Sequence, residues 1–329
     1  MPREARRRQA IGDFGKTSTA DEVVAGIDMG GRTALVTGAY SGLGKETVRA
    51  MAARGAHVIL SGRDAGKLDD AKAEIAEATG AQIDTLVCDL ASIESCRTGG
   101  KQAQERFDKI DLLINNAGIM ACPEMQTADG FEMQFGTNHL GHFVLTKYLL
   151  PLLEKGSGQR IVNLSSRGHH IDRVHLDDPF FEDRDYDPWL SYGQSKTANV
   201  LFAVGLEQRF ADKGIHAFAL HPGGIMTNLS RHLTEADMAA LMERIRKNAE
   251  ESGQEPDPFK TIPQGAATTC WVTTEPELGG RGGLYPEDCH IADVDDEDPM
   301  GGVRSYAIDP AIADALWAKS EELTGESWG

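Results

Sequence analysis

The chain has 329 residues, an average apolar content and a net charge of −18, from 51 Asp and Glu against 33 Lys and Arg. So acidic a surface repels phosphate backbones and anionic lipid, which argues against nucleic-acid binding and against membrane binding by charge attraction. No run approaches the ~18 consecutive apolar residues of a transmembrane helix and no apolar signal region opens the chain, so a cytoplasmic protein is expected.

Arg3, Arg6, Arg7 and Arg8 form the one basic cluster, read as a disordered terminus with a targeting role as the alternative. Ser18 to Glu22 looks like a helix start, with Val23, Val24 and Ile27 placed to pack on a sheet. From about residue 33, short β-rich runs alternate with helical stretches. Strands are expected at Thr33–Thr37, His57–Ser61, Ile83–Val87, Ile110–Ile114, Arg160–Leu164 and Ile215–Leu220. Helices are expected over Glu46 to Arg54, Asp64 to Ala78, through Phe143, Leu149 and Leu153 to Lys155-Gly156, and from Tyr192 to Ala211. Residues 225–262 break the pattern with an amphipathic helix (Met238, Leu241, Met242, Ile245) and a Gly/Pro-rich loop. The C-terminal part is acidic and loop-rich, closing with a helix near Ala311 to Leu323. We divide the chain into an N-terminal extension (1–30), one nucleotide-binding domain (31–290) that includes the 225–262 segment, and an acidic C-terminal extension (291–329). Such alternation implies an α/β fold, a doubly wound parallel sheet with helices on both faces, which binds ligands at the carboxyl ends of its strands.

The five cysteines (Cys88, Cys96, Cys122, Cys270, Cys289) are odd in number and lack CxxC spacing, so neither a disulfide framework nor a metal site is expected. Cys289-His290, the only Cys/His neighbour pair, is too few ligands for one.

The polar motifs fall at strand ends. Thr37 to Gly44 follows a strand and opens a helix, so that Gly38, Tyr40, Ser41, Gly42, Leu43 and Gly44 form a turn whose free N–H groups face a pyrophosphate. At the end of the second strand, where an NAD site usually carries an acid, stand Ser61-Gly62-Arg63. Arg63 suits a 2′-phosphate, which favours NADP(H) over NAD(H), unless it only caps the strand and pairs with Asp64. Asp89, with Leu90 beside it, is placed to accept from an adenine amine or to cap the helix near Ser92. Asn116, Ala117 and Gly118, in Asn115-Asn-Ala-Gly118, allow close approach to a ribose or make a plain turn, and Pro222-Gly223 offers backbone to the nicotinamide or an ordinary turn.

Tyr192-Gly-Gln-Ser-Lys196 sets a phenol and an ammonium on one helix face. A free tyrosine has a pKa of about 10, and a nearby ammonium favours its phenolate. Lys196 also reaches toward a nicotinamide ribose. Ser165 or Ser166 is placed to hydrogen-bond a substrate oxygen, and Asn138 either holds a relay water or bonds locally.

This ordered set, over roughly residues 30–225, resembles the short-chain dehydrogenase/reductase family. The resemblance implies a seven-stranded Rossmann-type sheet and a catalytic tetrad of Asn138, Ser166, Tyr192 and Lys196; the family serine aligns with Ser166. Gly55 to Arg63, Arg160 to Ser166, Tyr192 to Asn199 and the long insert between Ser166 and Tyr192 are most similar to the retinol-dehydrogenase and WW-domain-oxidoreductase-like branch. It implies hydride transfer between NADP(H) and an alcohol or carbonyl substrate. Family members assemble as dimers or tetramers, so a homodimer or homotetramer is implied, although the extended ends here are placed to cover the usual contacts. An apolar substrate is expected from Met226, Leu229, Leu233, Met238 and Leu241, with packing against the helix's own core or a neighbouring subunit as the alternative. Two rival functions are a light-dependent C=C reductase like protochlorophyllide reductase, and an NADP-sensing regulator without chemistry.

Overall fold

The computed structural model describes residues 14–328; the Arg3, Arg6, Arg7 and Arg8 cluster lies outside the described residues. Six strands form one parallel sheet: β1 (Thr33–Thr37), β2 (His57–Gly62), β3 (Ile83–Val87), β4 (Leu112–Asn115), β5 (Arg160–Leu164) and β6 (His216–Leu220), in the spatial order β3-β2-β1-β4-β5-β6. The chain reverses direction across the sheet between β1 and β4, the switch point at which such folds open a crevice.

Successive residues of a strand point to opposite faces, and here both faces are apolar. Leu35, Ile59, Leu113 and Ile161 enter one core, whereas Ala34, Val36, Val58, Leu60, Ile114 and Val162 enter the other. On the second face lie α1 (Ala20–Val23), α2 (Gly42–Ala52), α3 (Ala65–Thr79) and α9 (Ile262–Thr274). The first face is covered by α4 (Ile93–Arg106), α6 (Gly141–Leu153), α7 (Pro188–Phe210) and α10 (Pro310–Thr324). Two further helices belong to the site: α5 (Met133–Phe135), which runs into a π-helical turn at Gly136–Leu140, and α8 (Glu235–Ser252). No helix among the described residues is long and apolar enough to cross a membrane.

The implied seventh strand is reduced to bridges. Ala219 N donates to Leu284 O (3.2 Å) and His221 N to Pro286 O (3.0 Å), but only isolated parallel pairings, Phe218 with Leu284 and His221 with Glu287, join this segment to β6. Pro286 has no N–H to give, which suits it to an edge and breaks a regular ladder. Instead β7 (Pro286–Glu287) turns into a short hairpin with β8 (His290–Ile291). The fourth strand starts at Leu112, two residues later than expected; the buried Asp111 before it still gives its N–H to Thr33 O (2.8 Å), while its carboxylate accepts Thr33 N (2.8 Å) and Ser157 N (2.7 Å).

Both ends of the described chain join the cores. Ala20, Val23 and Val24 are fully buried against α9 and α2. At the other end, Trp317 and Trp328 (ring centroids 4.6 Å apart) pack on Phe143 and Phe202.

Candidate active site

A cavity of about 830 Å³ lies at the carboxyl ends of the strands. The glycine turn forms its floor. Gly38 has φ +64°, a conformation that only glycine adopts without strain, and a Cβ there would stand 3.0 Å from Ala117 Cα. A Cβ on Gly44 would meet Asn116 Nδ2 at 2.5 Å. Thr37 locks the two loops together, its hydroxyl accepting Asn116 N (2.9 Å) and Ala117 N (3.0 Å) and its carbonyl accepting Asn116 Nδ2 (2.7 Å). Ser41 precedes α2 without a side-chain capping bond, so the first amides of that helix keep their donors for another acceptor. A side-chain-free cradle with free amides at a helix start fits a pyrophosphate.

Tyr40, Ser41, Gly42, Leu43, Arg63, Asp89, Leu90, Asn116, Ala117, Gly118, Pro222 and Gly223 all line this cavity. Asp89 does not cap the next helix; Ser92 does, accepting Ser95 N at 3.3 Å, while Asp89 Oδ1 accepts Ala91 N at 3.0 Å. Gly62 lies under the Tyr40 ring, where a Cβ would come within 2.7 Å, so an acidic side chain does not fit that position. Asp64 caps α3 and pairs with Lys67 at 3.4 Å rather than with Arg63. Gly223 rests on the Lys260 stem, and Lys260, ion-paired to Asp288 at 2.5 Å, was not signalled by any motif.

The expected reacting groups converge at the inner end. Tyr192 is buried in α7, and Gly168 packs against both its ring and Ser166 Oγ. Ser166 Oγ accepts Gly168 N at 3.0 Å, whereas Ser165 is turned away and donates to Lys196 O at 2.8 Å. Lys196 Nζ sits 5.6 Å from the Tyr192 ring centroid and donates to Leu164 O at 3.0 Å. Burial pushes the Tyr192 phenol up to about 12, with the neighbouring Ser166 hydroxyl pulling the other way, and burial brings the Lys196 ammonium down to about 8. Desolvation thus outweighs the Ser166 hydrogen bond, and without a ligand the tyrosine is held as the neutral phenol.

Asn138 lies in the π-helical turn and is fully buried. Its side chain donates to Ile119 O (3.0 Å) and Ser195 Oγ (2.9 Å) and accepts Ile119 N (2.9 Å). Its side chain thus clamps the loop after β4 to the helix of Tyr192 and Lys196. One buried residue beside it escaped the sequence reading. His142 bridges Thr37 Oγ1 and the Asn138 carbonyl, each at 2.9 Å. The Thr37 hydroxyl already accepts two amides, so its proton goes to His142 Nε2 and His142 Nδ1 donates to Asn138 O.

The family described as short chain dehydrogenase matches residues 32–178. The short-chain dehydrogenase/reductase prx1 of Penicillium roqueforti is 41% identical over 297 residues, covering 88% of this chain and 84% of that protein. The chain belongs to the short-chain dehydrogenase/reductase family. It is accordingly an oxidoreductase that binds a nicotinamide cofactor and acts on small molecules. Retinol dehydrogenase 11 of Mus musculus is 37% identical over 300 residues, covering 91% of this chain and 88% of that protein, in keeping with the branch resemblance. The crystal structure of an uncharacterized protein from Mycobacterium paratuberculosis is similar at a TM-score of 0.70 and 33% identity, covering 95% of this chain and 99% of that one.

The outer wall of the cavity comes from three parts of the chain. Met226, Leu229, Met238, Leu241 and Ile245 line the cavity from the 225–262 segment; Leu233 does not. Within α8 only Ala249 is buried, so this helix has no core of its own and lies over the cavity. Trp189 comes from the start of α7, and Met300 and Arg304 come from the C-terminal extension. Those last two carry no local signal: they sit in an aperiodic acidic loop more than a hundred residues from Tyr192, and only the fold brings them to the wall.

Proposed function

We propose that this chain interconverts an alcohol and a ketone or aldehyde with NADP(H), using Tyr192 as general acid/base. The observation that carries this is the convergence of Tyr192, Ser166 and Lys196 at the inner end of the glycine-floored cavity. When bound, the nicotinamide supplies or accepts the hydride. Ser166 donates a hydrogen bond to the substrate oxygen and aligns it with the Tyr192 phenol. In reduction Tyr192 gives its proton to that oxygen, which explains why a phenol kept protonated by burial is useful. Lys196 turns from Leu164 O toward the ribose hydroxyls and steadies the phenolate left behind. Asn138 acts as a positioning residue by holding the β4 loop to α7. Arg63, exposed at the mouth beside the space where a 2′-phosphate would lie, supports NADP over NAD, as does a Gly62 site closed to an acid by Tyr40. The apolar wall supports a substrate with a sizeable apolar body, and a retained Tyr192 and Lys196 favour an enzyme over a cofactor sensor.

The test is consumption of NADPH, with NADH in parallel, against a panel of aromatic and alicyclic ketones and aldehydes. NADPH-preferring turnover that Tyr192→Phe lowers by about 10²–10⁴ supports the reading. Turnover undiminished in Tyr192→Phe would sink the catalytic assignment, and a clear preference for NADH would remove the Arg63 argument alone.

A further inference from the structure

We infer that the substrate end of the cavity takes a carbonyl compound with a carboxylate at its far end, received by the guanidinium of Arg244. This deepens the alcohol/carbonyl reading and rests on it.

The first observation is a reversal of charge. The chain carries 51 acidic and 33 basic side chains. Lining the cavity are seven Lys and Arg, namely Arg63, Lys67, Arg167, Lys196, Arg231, Arg244 and Arg304, and one carboxylate, Asp89. A cleft of one sign inside a surface of the other focuses its field on ligands of opposite charge. The cofactor accounts for part of this, since Arg63 and Lys67 lie at the adenosine end and Lys196 at the reacting centre.

The second observation is how the other four are engaged. Arg167 pairs with Asp257 at 2.9 Å, and Arg304 is clamped by the backbone carbonyls of Asp295 and Asp298. Arg231 donates to Asn228 O at 3.0 Å. Arg244 lies 4.8 Å over the Trp189 ring, and Asp187, the acid that acts on it, is engaged as the N-cap of α7 by Trp189 N and Leu190 N at 2.8 Å. No carboxylate among the described residues pairs with Arg244, whose exposed guanidinium rests on the Trp189 ring and keeps its donors for a ligand.

The third observation is placement. Trp189 meets Tyr192 edge-to-face at 6.3 Å, so the series Tyr192, Trp189, Arg244 runs outward from the reacting phenol to the guanidinium. On α8, Leu241 and Ile245 flank Arg244 and line the same cavity, and Asn248 follows one turn on. A ligand spanning this wall has its oxygen at Tyr192 and Ser166, an apolar body against Trp189, Leu241 and Ile245, and an anion at Arg244. One planar guanidinium backed by an aromatic ring suits a carboxylate's two coplanar oxygens.

Calorimetric titration of the NADP⁺-saturated protein with 2-naphthoate and with 2-naphthamide, neither of them reducible, tests the site without turnover. The expected result is a roughly tenfold preference for the acid that shrinks with added salt. Arg244→Gln should bring the two affinities within about twofold of each other, and Arg244→Lys should keep part of the gap. Equal binding of acid and amide by the wild type, or a preference that survives Arg244→Gln, overturns the inference. Turnover of 6-acetyl-2-naphthoate and its methyl ester then separates the two readings. Acid preference in binding with no turnover of either compound leaves the carboxylate site standing and counts against the alcohol/carbonyl reading. Turnover of the ester at least as fast as the acid does the reverse.

Discussion

Lys196 places its ammonium 5.6 Å from the centre of the Tyr192 ring but gives its hydrogen bond to the Leu164 carbonyl, 3.0 Å away. A buried cation so held is costly to the fold, a cost that the proposed role toward the cofactor would account for.

Replacing Lys196 should therefore separate stability from activity. Because burial brings its folded pKa down to about 8, below the ordinary 10.5, the charged form is disfavoured in the native state throughout the neutral range. Stability gained on losing that charge is present above pH 10.5 and disappears as pH falls toward 8. Lys196→Met should raise the neutral-pH stability of the cofactor-free protein by about 1–2 kcal/mol, after the lost hydrogen bond is offset, while removing turnover. Thermal melts at pH 7 and 10 check the sign: the gain should shrink at the higher pH.

Arg63 should govern cofactor choice with no effect on the reaction. A charge-assisted bond to a phosphate contributes about 1.5–3 kcal/mol, discounted here for an exposed side chain. Arg63→Gln should raise the KM for NADPH about tenfold to a hundredfold and leave that for NADH within twofold. Steady-state rates with both cofactors read the difference directly.

Acid should loosen the fold and the cofactor cradle together. His142 and His170 are brought down to about 4 by burial, His139 to about 3, and His169 and His221 are also held well below 6.5. Below pH 6.5 the unfolded chain takes up protons that the native state refuses, so stability is intact above 6.5 and falls as pH drops toward 4. Each such histidine contributes up to about 1.4 kcal/mol per pH unit. Buried Glu132 and Glu287, whose carboxyls are raised, act with the opposite sign but are outnumbered. Protonating His142 also removes the acceptor of the Thr37 hydroxyl, and with it the anchor of Asn116 and Ala117. Melting temperature and NADP⁺ affinity, measured from pH 7 to 4.5, should decline in parallel, and His142→Gln should flatten part of the slope.

The aromatic seal of the C-terminal helix should carry global stability. Trp317 is buried between Phe143, Phe202 and Trp328. Trp317→Ala should cost about 3–5 kcal/mol in urea unfolding.

The sheet and the cofactor turn were legible because their causes are local. Ala34 to Val36 and Ile161-Val162 are apolar on both faces, as a strand between two helical layers must be, and the Gly38–Gly44 spacing is fixed by one turn of backbone. Ser166 could be separated from Ser165 only by resemblance; the structure adds the reason, since Ser165 is taken by the Lys196 carbonyl. Other features depend on distant partners. The seventh strand had no independent signal, and Pro286 leaves only bridges in its place. Desolvation of Tyr192 follows from layers that close over α7 after folding, which the spacing to Lys196 does not reveal. Met300 and Arg304 reach the wall through a loop whose sequence is only acidic and irregular.

Lys260 N donates to Gly224 O at 2.8 Å, and Ile225 pairs with Lys260, so the stretch that roofs the substrate space leaves and rejoins the body at one point. With a single buried residue in α8, almost none of that stretch is wired into either core. Substitutions on α8 therefore cost the fold little and alter the roof directly. Such an arrangement lets an enzyme drift toward new substrates through neutral change, its chemistry and its melting point inherited intact.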